Sequence, residues 1–286
     1  MTDTAKPGVW ALTKLQYLLR VHPVNAFETL RNNGVKWKQH PDYLNLFQFR
    51  YDQLKTKYAN KEVCESRGII LDKDNSWAIV AYPYNKFFNL GELYADEIDW
   101  NTAKTIEKLD GTLMILYHYE GWRVATLGMP DARGHVGDND FTFADLFWEV
   151  WRACNYDLPD NTSCTYMFEL IGPKNKVVVQ YEKPEILLHG VRNNNSGTEL
   201  SHTEVATRYR WREANVHSLA TASDITDFIN NRETGEELLY EGVVVVDGSF
   251  NRVKMKSDPY SLMHRLKGAC STTKLKMLNI DNSKEN

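Results

Sequence analysis

The sequence predicts an α+β domain built on antiparallel sheets flanked by helices, with a short helical C-terminal tail. Three observations carry that expectation. Apolar residues recur at helical spacing over 11–33 and again over 143–154; strand-like runs begin at Tyr43; and the turn signals Glu120-Gly121 and Asp247-Gly248 join neighbouring runs into hairpins. No internal repeat or low-complexity linker interrupts the 286 residues, so residues 1–260 are expected to form one domain and 261–286 a short helical or frayed tail.

Leu12, Leu15, Leu18 and Leu19 define the first helical stripe, and Phe27 with Leu30 a second helix that Gly34 closes. Leu44–Phe49, Gly68–Leu71 and Trp77–Tyr82 read as strands, the last ended by Pro83. Leu113–Tyr119 and Trp122–Leu127 flank Glu120-Gly121 as a hairpin with a two-residue turn. Phe143, Leu146, Phe147, Val150, Trp151 and Cys154 share one helical face, with Thr142 placed to cap the helix. Thr165–Ile171, Lys176–Tyr181 and Ile186–Arg192 return to strand, and helical segments follow near 202–209 and 223–232. Glu241–Asp247 and Phe250–Lys256 form the last hairpin, and the polar stretch from Asn279 is expected to fray.

Composition excludes several classes. With 42% hydrophobic and 25% charged residues the chain is of ordinary globular make-up, and its net charge of −4 gives no global attraction to nucleic acid. Any such contact must come from a local basic groove. The four cysteines show no zinc spacing and are read as reduced thiols. Residues 1–20 lack the apolar run of a signal peptide, and no stretch is apolar enough to span a membrane, so a cytosolic location is expected. The protein is also expected to be a monomer. No G-x-x-x-x-G-K-[ST] occurs, so nucleotide chemistry here is not of the P-loop kind.

The chemistry sits in short motifs. Lys108-Leu109-Asp110-Gly111 offers a lysine that attacks phosphorus only as a free amine, which nearby cations or burial must produce from a group with a reference pKa of about 10.4. Lys254 and Lys256, two apart on a strand, project to one face and are placed to do this while gripping a phosphate. Asp110 is expected to share the face of Lys108 and orient its amine; Gly111 lets a backbone or nucleotide approach closely. Glu169 interrupts an apolar strand and is either an outward-facing residue or a ligand for ribose or metal. Glu241 precedes four valines, at a position suited to Mg²⁺ or to solvent. Arg67, Lys86 and Phe88 lie among cations and aromatics that suit a triphosphate and a base, or an ordinary core edge.

Taken in order, these pieces resemble the covalent nucleotidyltransferase superfamily of ligases and capping enzymes. Within it they are most similar to the ATP-dependent RNA ligase 1 family of bacteriophage. The likeness runs over residues 43–264: Arg67-Gly68, Lys86-Phe87-Phe88-Asn89-Leu90, Lys108-Leu109-Asp110-Gly111, Phe168-Glu169 through Val178, Glu241-Gly242-Val243-Val244-Val245, and Lys254-Met255-Lys256-Ser257-Asp258-Pro259-Tyr260. The resemblance implies the ligase adenylylation fold and an enzyme that joins RNA 5′-phosphate and 3′-hydroxyl ends. ATP and Mg²⁺ (or Mn²⁺) would be its cofactors, and lysyl-AMP and RNA-adenylate its intermediates. It makes Lys108 the nucleophile, with Asp110, Glu241, Lys254 and Lys256 as the rest of the catalytic set. Arg67, Lys86, Phe88, Gly111, Glu169, Gly242, Lys254 and Lys256 would bind the nucleotide or the 5′-phosphate end, and Glu241 and Glu169 the metal. Two departures stand out. Where relatives carry a lysine after the first hairpin, this chain has Thr126-Leu127-Gly128-Met129, with Arg123 or Arg133 as candidate replacements; and the thirty residues after Lys256 leave no room for the helical substrate-selecting domain of phage relatives.

Overall fold

The computed structural model describes residues 12–53, 56, 58–233 and 240–269. The chain begins with α1 (Lys14–Val21) and α2 (Ala26–Asn32), then β1 (Val35–Gln39), β2 (Leu46–Tyr51), α3 (Lys61–Glu65), β3 (Arg67–Asp72) and β4 (Ala78–Ala81). It continues through β5 (Phe88–Asn89), β6 (Lys104–Glu107), β7 (Thr112–His118), β8 (Trp122–Ala125), α4 (Phe143–Ala153) and β9 (Cys164–Ile171). The last elements are β10 (Glu185–Asn193), β11 (Glu199–Leu200), α5 (His202–Tyr209), β12 (Val216–His217), α6 (Ala222–Glu233), β13 (Gly242–Val246), β14 (Arg252–Lys256) and α7 (Asp258–Ala269).

These strands make three sheets, ordered β1-β2-β3-β4, β11-β10-β9-β7-β8 and β12-β6-β13-β14-β5. The middle sheet is buried on both faces, which explains the unbroken apolar run of β7. Met114 and Leu116 join Phe147, Trp151, Phe168 and Trp211 on one side; Leu113, Ile115 and Tyr117 meet Leu46, Ile70 and Ala81 on the other. Thr142 caps α4 in a reciprocal box with Asp145, as its position before the apolar stripe predicts. In the third sheet the valine run alternates: Val243 and Val245 enter a core with Ile225, Ile229 and Val253, while Val244 lines a cavity. That cavity lies between the middle and third sheets.

The structure corrects several expectations. Lys176–Tyr181 is not a strand among the described elements but an irregular passage after a 3₁₀ turn at Pro173–Asn175, because its amides have another use described below. The β7–β8 connection has three residues, not two: His118 pairs with Trp122, leaving Tyr119–Gly121 as the loop, with Glu120 and Gly121 both at positive φ. The β13–β14 connection spans residues 247–251, organised by the Asp247 carboxylate accepting from the amides of Ser249 and Asn251. One pairing, β14 with β5, is parallel. The helical tail expected from residue 261 lies in part in α7, and the polar stretch from Asn279 lies outside the described residues.

Candidate active site

The cavity between the two sheets measures about 510 Å³ and collects residues from all three sheets. Lys108, from the turn after β6, meets Lys254 and Lys256 on β14, Val244 on β13, Glu169 on β9 and His189 on β10; Arg67, Lys86 and Phe87 approach from the first sheet and β5. Beneath the lysines lies Glu241. It is 4% exposed, and its Oε1 accepts from Lys108 Nζ at 2.8 Å and from Lys256 Nζ at 2.9 Å. One carboxylate oxygen therefore holds the proposed nucleophile and a second ammonium together, fixing two long side chains that solvent would otherwise leave free.

Asp110 does something other than expected. Its carboxylate is 2% exposed; Oδ2 accepts from the amides of Val178 and Val179, both at 2.6 Å, and Oδ1 from the Tyr260 hydroxyl at 2.7 Å. The Asp110 amide donates to the Tyr181 hydroxyl at 3.0 Å. Every contact ties the lysine-bearing turn to its surroundings, and the partner of the Lys108 amine is Glu241. This explains Lys176–Tyr181: its amides face a buried carboxylate, so they cannot also form a ladder. Tyr260 stands in the Lys254–Tyr260 motif, but nothing in its spacing signals that its hydroxyl reaches back 150 residues to Asp110.

The proton affinity of Lys254 is strongly reduced. Burial first, and then the charges of Lys86, Lys256 and Lys108, bring its pKa down to about 7. Burial also lowers Lys86, whose Nζ sits 4.5 Å from the Phe88 ring centroid and donates to the Phe87 carbonyl. Phe88 itself is buried and faces a second cavity behind this one, so of the two phenylalanines it is Phe87 that lines the main cavity, beside Tyr51, Tyr58 and Tyr84.

The two glycines serve packing. A Cβ at Gly111 would lie 2.3 Å from the Leu170 carbonyl oxygen, and one at Gly242 (φ +135°) 2.1 Å from that of Met255. Neighbouring strands, not a ligand, occupy the space they leave. Gly111→Ala is accordingly expected to cost about 1–3 kcal/mol by overpacking, seen as a lower melting temperature with or without nucleotide; an unchanged melting curve would contradict this. Neither Arg123 nor Arg133 reaches the cavity: Arg123 lies over the Tyr43 ring and Arg133 pairs with Asp42. Sequence reasoning missed His189. It is the extra residue at a register shift in β10, a bulge that turns its ring toward Glu169, 3.5 Å away; no residue pattern announces a bulge.

For a divalent ion the donor set is lean. Among the described residues no group of three or more His, Cys, Asp or Glu side chains converges. Mg²⁺ needs only one or two carboxylates when phosphate and water complete its shell, so Glu169 on the cavity wall fits that demand. Glu241 is already engaged by two ammonium groups, and either would have to release it first.

A lysine held by a buried carboxylate, facing two strand lysines across a cavity between antiparallel sheets, defines a covalent nucleotidyltransferase fold. Solved structures of an archaeal ATP-dependent RNA ligase share it: one form has a TM-score of 0.59 at 13% identity, covering 90% of this chain and 67% of that one, and a second has 0.56 at 14%, covering 87% and 66%. At those identities the likeness establishes the fold. The family is fixed by sequence: a model of the RNA ligase family matches residues 65–260. The RNA ligase of Rhodothermus phage RM378 is 31% identical across 91% of this chain and 72% of its own length. The chain belongs to the RNA ligase family, and by that membership it is an RNA ligase. Among the described residues no helix is long and apolar enough to cross a membrane.

Proposed function

We propose that the protein joins RNA 5′-phosphate and 3′-hydroxyl ends in the cytosol, using ATP. The Lys108 amine attacks the α-phosphorus; the bond to pyrophosphate breaks, and lysyl-AMP forms. The AMP then passes to an RNA 5′-phosphate, and an RNA 3′-hydroxyl displaces it. The observation carrying this reading is the Lys108–Glu241–Lys256 bridge at 2.8 and 2.9 Å on the cavity floor. Glu241 aims the amine, Lys256 and Lys254 stabilise charge on the transferring phosphoryl group, and Glu169 receives the ribose or a metal-bound water. A divalent ion, when bound with ATP, supplies further charge neutralisation at the phosphates. Incubation with α-labelled ATP or GTP, followed by addition of 5′-phosphorylated RNA, tests this. Label should enter the protein from ATP alone, and joined RNA should follow. Labelling by GTP in preference would make it a capping-type enzyme instead.

Lys254 gives the reaction a pH signature. Its free-state pKa of about 7 means it is largely neutral at pH 8. A phosphate beside it favours the charged form, so ATP binding raises that pKa and takes up a proton. Calorimetry at pH 8 in buffers of different ionisation enthalpy should therefore show uptake approaching one proton. Uptake should vanish near pH 6, where Lys254 is already charged, and in Lys254→Met. Equal uptake at both pH values would contradict the assignment.

A further inference from the structure

Two large aromatic side chains stand partly in water on neighbouring loops. Tyr94, between β5 and β6, is 45% exposed, and Phe250, between β13 and β14, is 37% exposed. Phe250 also holds φ at +63°, in the left-handed region that bulky residues rarely enter. Strained residues of that kind cluster at binding sites, where the surroundings hold them in place. The surroundings here are well tied. The Asp247 carboxylate accepts from the Asp99 amide at 3.1 Å, the Thr102 hydroxyl from the Gly248 amide at 3.0 Å, and the Asp96 carboxylate from the Arg252 amide at 2.9 Å. These three bonds fasten the loop that carries Tyr94 to the hairpin that carries Phe250, so the two rings are presented on one frame.

Both rings line the second cavity, of about 570 Å³, behind the nucleotide cavity. Phe88 lies deeper in it, its ring centroid 5.3 Å from that of Tyr58 and 5.9 Å from that of Tyr94. The two cavities share Tyr58, Lys86, Phe87 and Arg252, so whatever fills the second lies beside the reacting phosphates. Charge argues against a phosphate there. Four cations face three carboxylates, and the Arg252 fork is spent on Glu199 at 3.0 and 2.8 Å. A phosphate finds little net charge to bind, whereas a neutral ring finds aromatic faces.

We infer that this cavity holds the base of an RNA end nucleotide, stacked on Tyr94 and Phe250. Aromatic side chains suit that role because every base has a π-face, so stacking grips an end without reading its sequence. The base belongs either to the 5′-phosphate end or to the 3′-hydroxyl end, and those sources rest on the ligase reading above.

The test compares wild type, Tyr94→Leu, Tyr94→Phe and Phe250→Gly; glycine accepts the positive φ, so that variant loses the ring without straining the loop. Affinity is measured for a 5′-phosphorylated oligoribonucleotide, for the same RNA with an abasic 5′-terminal nucleotide, and for one with an abasic 3′-terminal nucleotide. Tyr94→Leu and Phe250→Gly should each weaken binding of the intact RNA by about tenfold, and Tyr94→Phe should not. One abasic RNA should bind wild type more weakly by a similar factor and show little further loss in the variants, because the same contact cannot be lost twice. Which abasic end behaves so assigns the base to the 5′ or the 3′ end. If the variants bind every RNA like wild type, or lose the same factor on intact and on both abasic RNAs, the inference is overturned. AMP attachment from ATP alone should be unchanged in both variants, since neither ring lines the nucleotide cavity; a matching loss there would also overturn it. A wild type that takes no AMP would sink the ligase reading, while the binding comparison still decides the subsite.

Discussion

Lys108→Ala should form no covalent AMP and should not join RNA from ATP, yet it should still join RNA supplied already 5′-adenylylated. The two halves of that expectation have different physical grounds. AMP attachment needs a nucleophile at the end of the β6 turn, and removing the amine removes the bond-forming atom. Joining preformed RNA-adenylate needs no lysine nucleophile; it needs AMP seated in the cavity, the role proposed for Glu169, and charge neutralised around the phosphates, the role proposed for Lys254 and Lys256. Loss of both activities with a normal melting curve would show that Lys108 also positions AMP as a leaving group. Retained AMP attachment would place the nucleophile elsewhere.

Glu241→Ala should lower AMP attachment by about two to three orders of magnitude, the usual scale for losing a preorganised charged group at a phosphoryl-transfer site. The ground is the shared oxygen: without it the Lys108 and Lys256 ammonium groups repel, and neither has a reason to point at the α-phosphorus. Stripping one partner from a fully buried charge pair costs about 3–5 kcal/mol. Here the lysines keep 24% and 26% of their side-chain surface in water, so the stability loss should be smaller than that. Glu241→Gln, which preserves shape and one acceptor oxygen, should keep more stability than Glu241→Ala but recover little rate, because the charge is what organises two ammonium groups. Near-normal rates in both variants would reduce Glu241 to a structural anchor.

Much of the fold was legible because local chemistry and global packing agree. The α4 stripe with Thr142 before it, the five apolar residues of β7 and the four valines of β13 each carry the pattern their burial demands. What escaped depends on long-range pairing. Val177-Val178-Val179 has the composition of a strand, but Asp110, 68 residues away, claims its amides. The connection after β13 is longer than its Asp-Gly signal suggests, since the Asp247 carboxylate organises a wider loop in which Phe250 takes a positive φ. The site divides along the same line. Motif residues were readable as a set, and Lys108, Glu241, Lys254 and Lys256 do converge. Their division of labour was not readable: Asp110 and Glu241 are both acidic neighbours of the lysine in sequence logic, and only the structure distinguishes a carboxylate satisfied by amides and a tyrosine from one satisfied by ammonium groups. His189 was invisible because it is placed by a strand irregularity, which leaves little trace in a single sequence.

Lys108 as the nucleophile is tested most directly by peptide mapping with mass spectrometry after incubation with ATP and Mg²⁺, then again after addition of 5′-phosphorylated RNA. One AMP is expected, linked to the Nζ of Lys108, that disappears when RNA is added. An adduct on Lys254 or Lys256, or one that survives a chase with competent RNA ends, would contradict it.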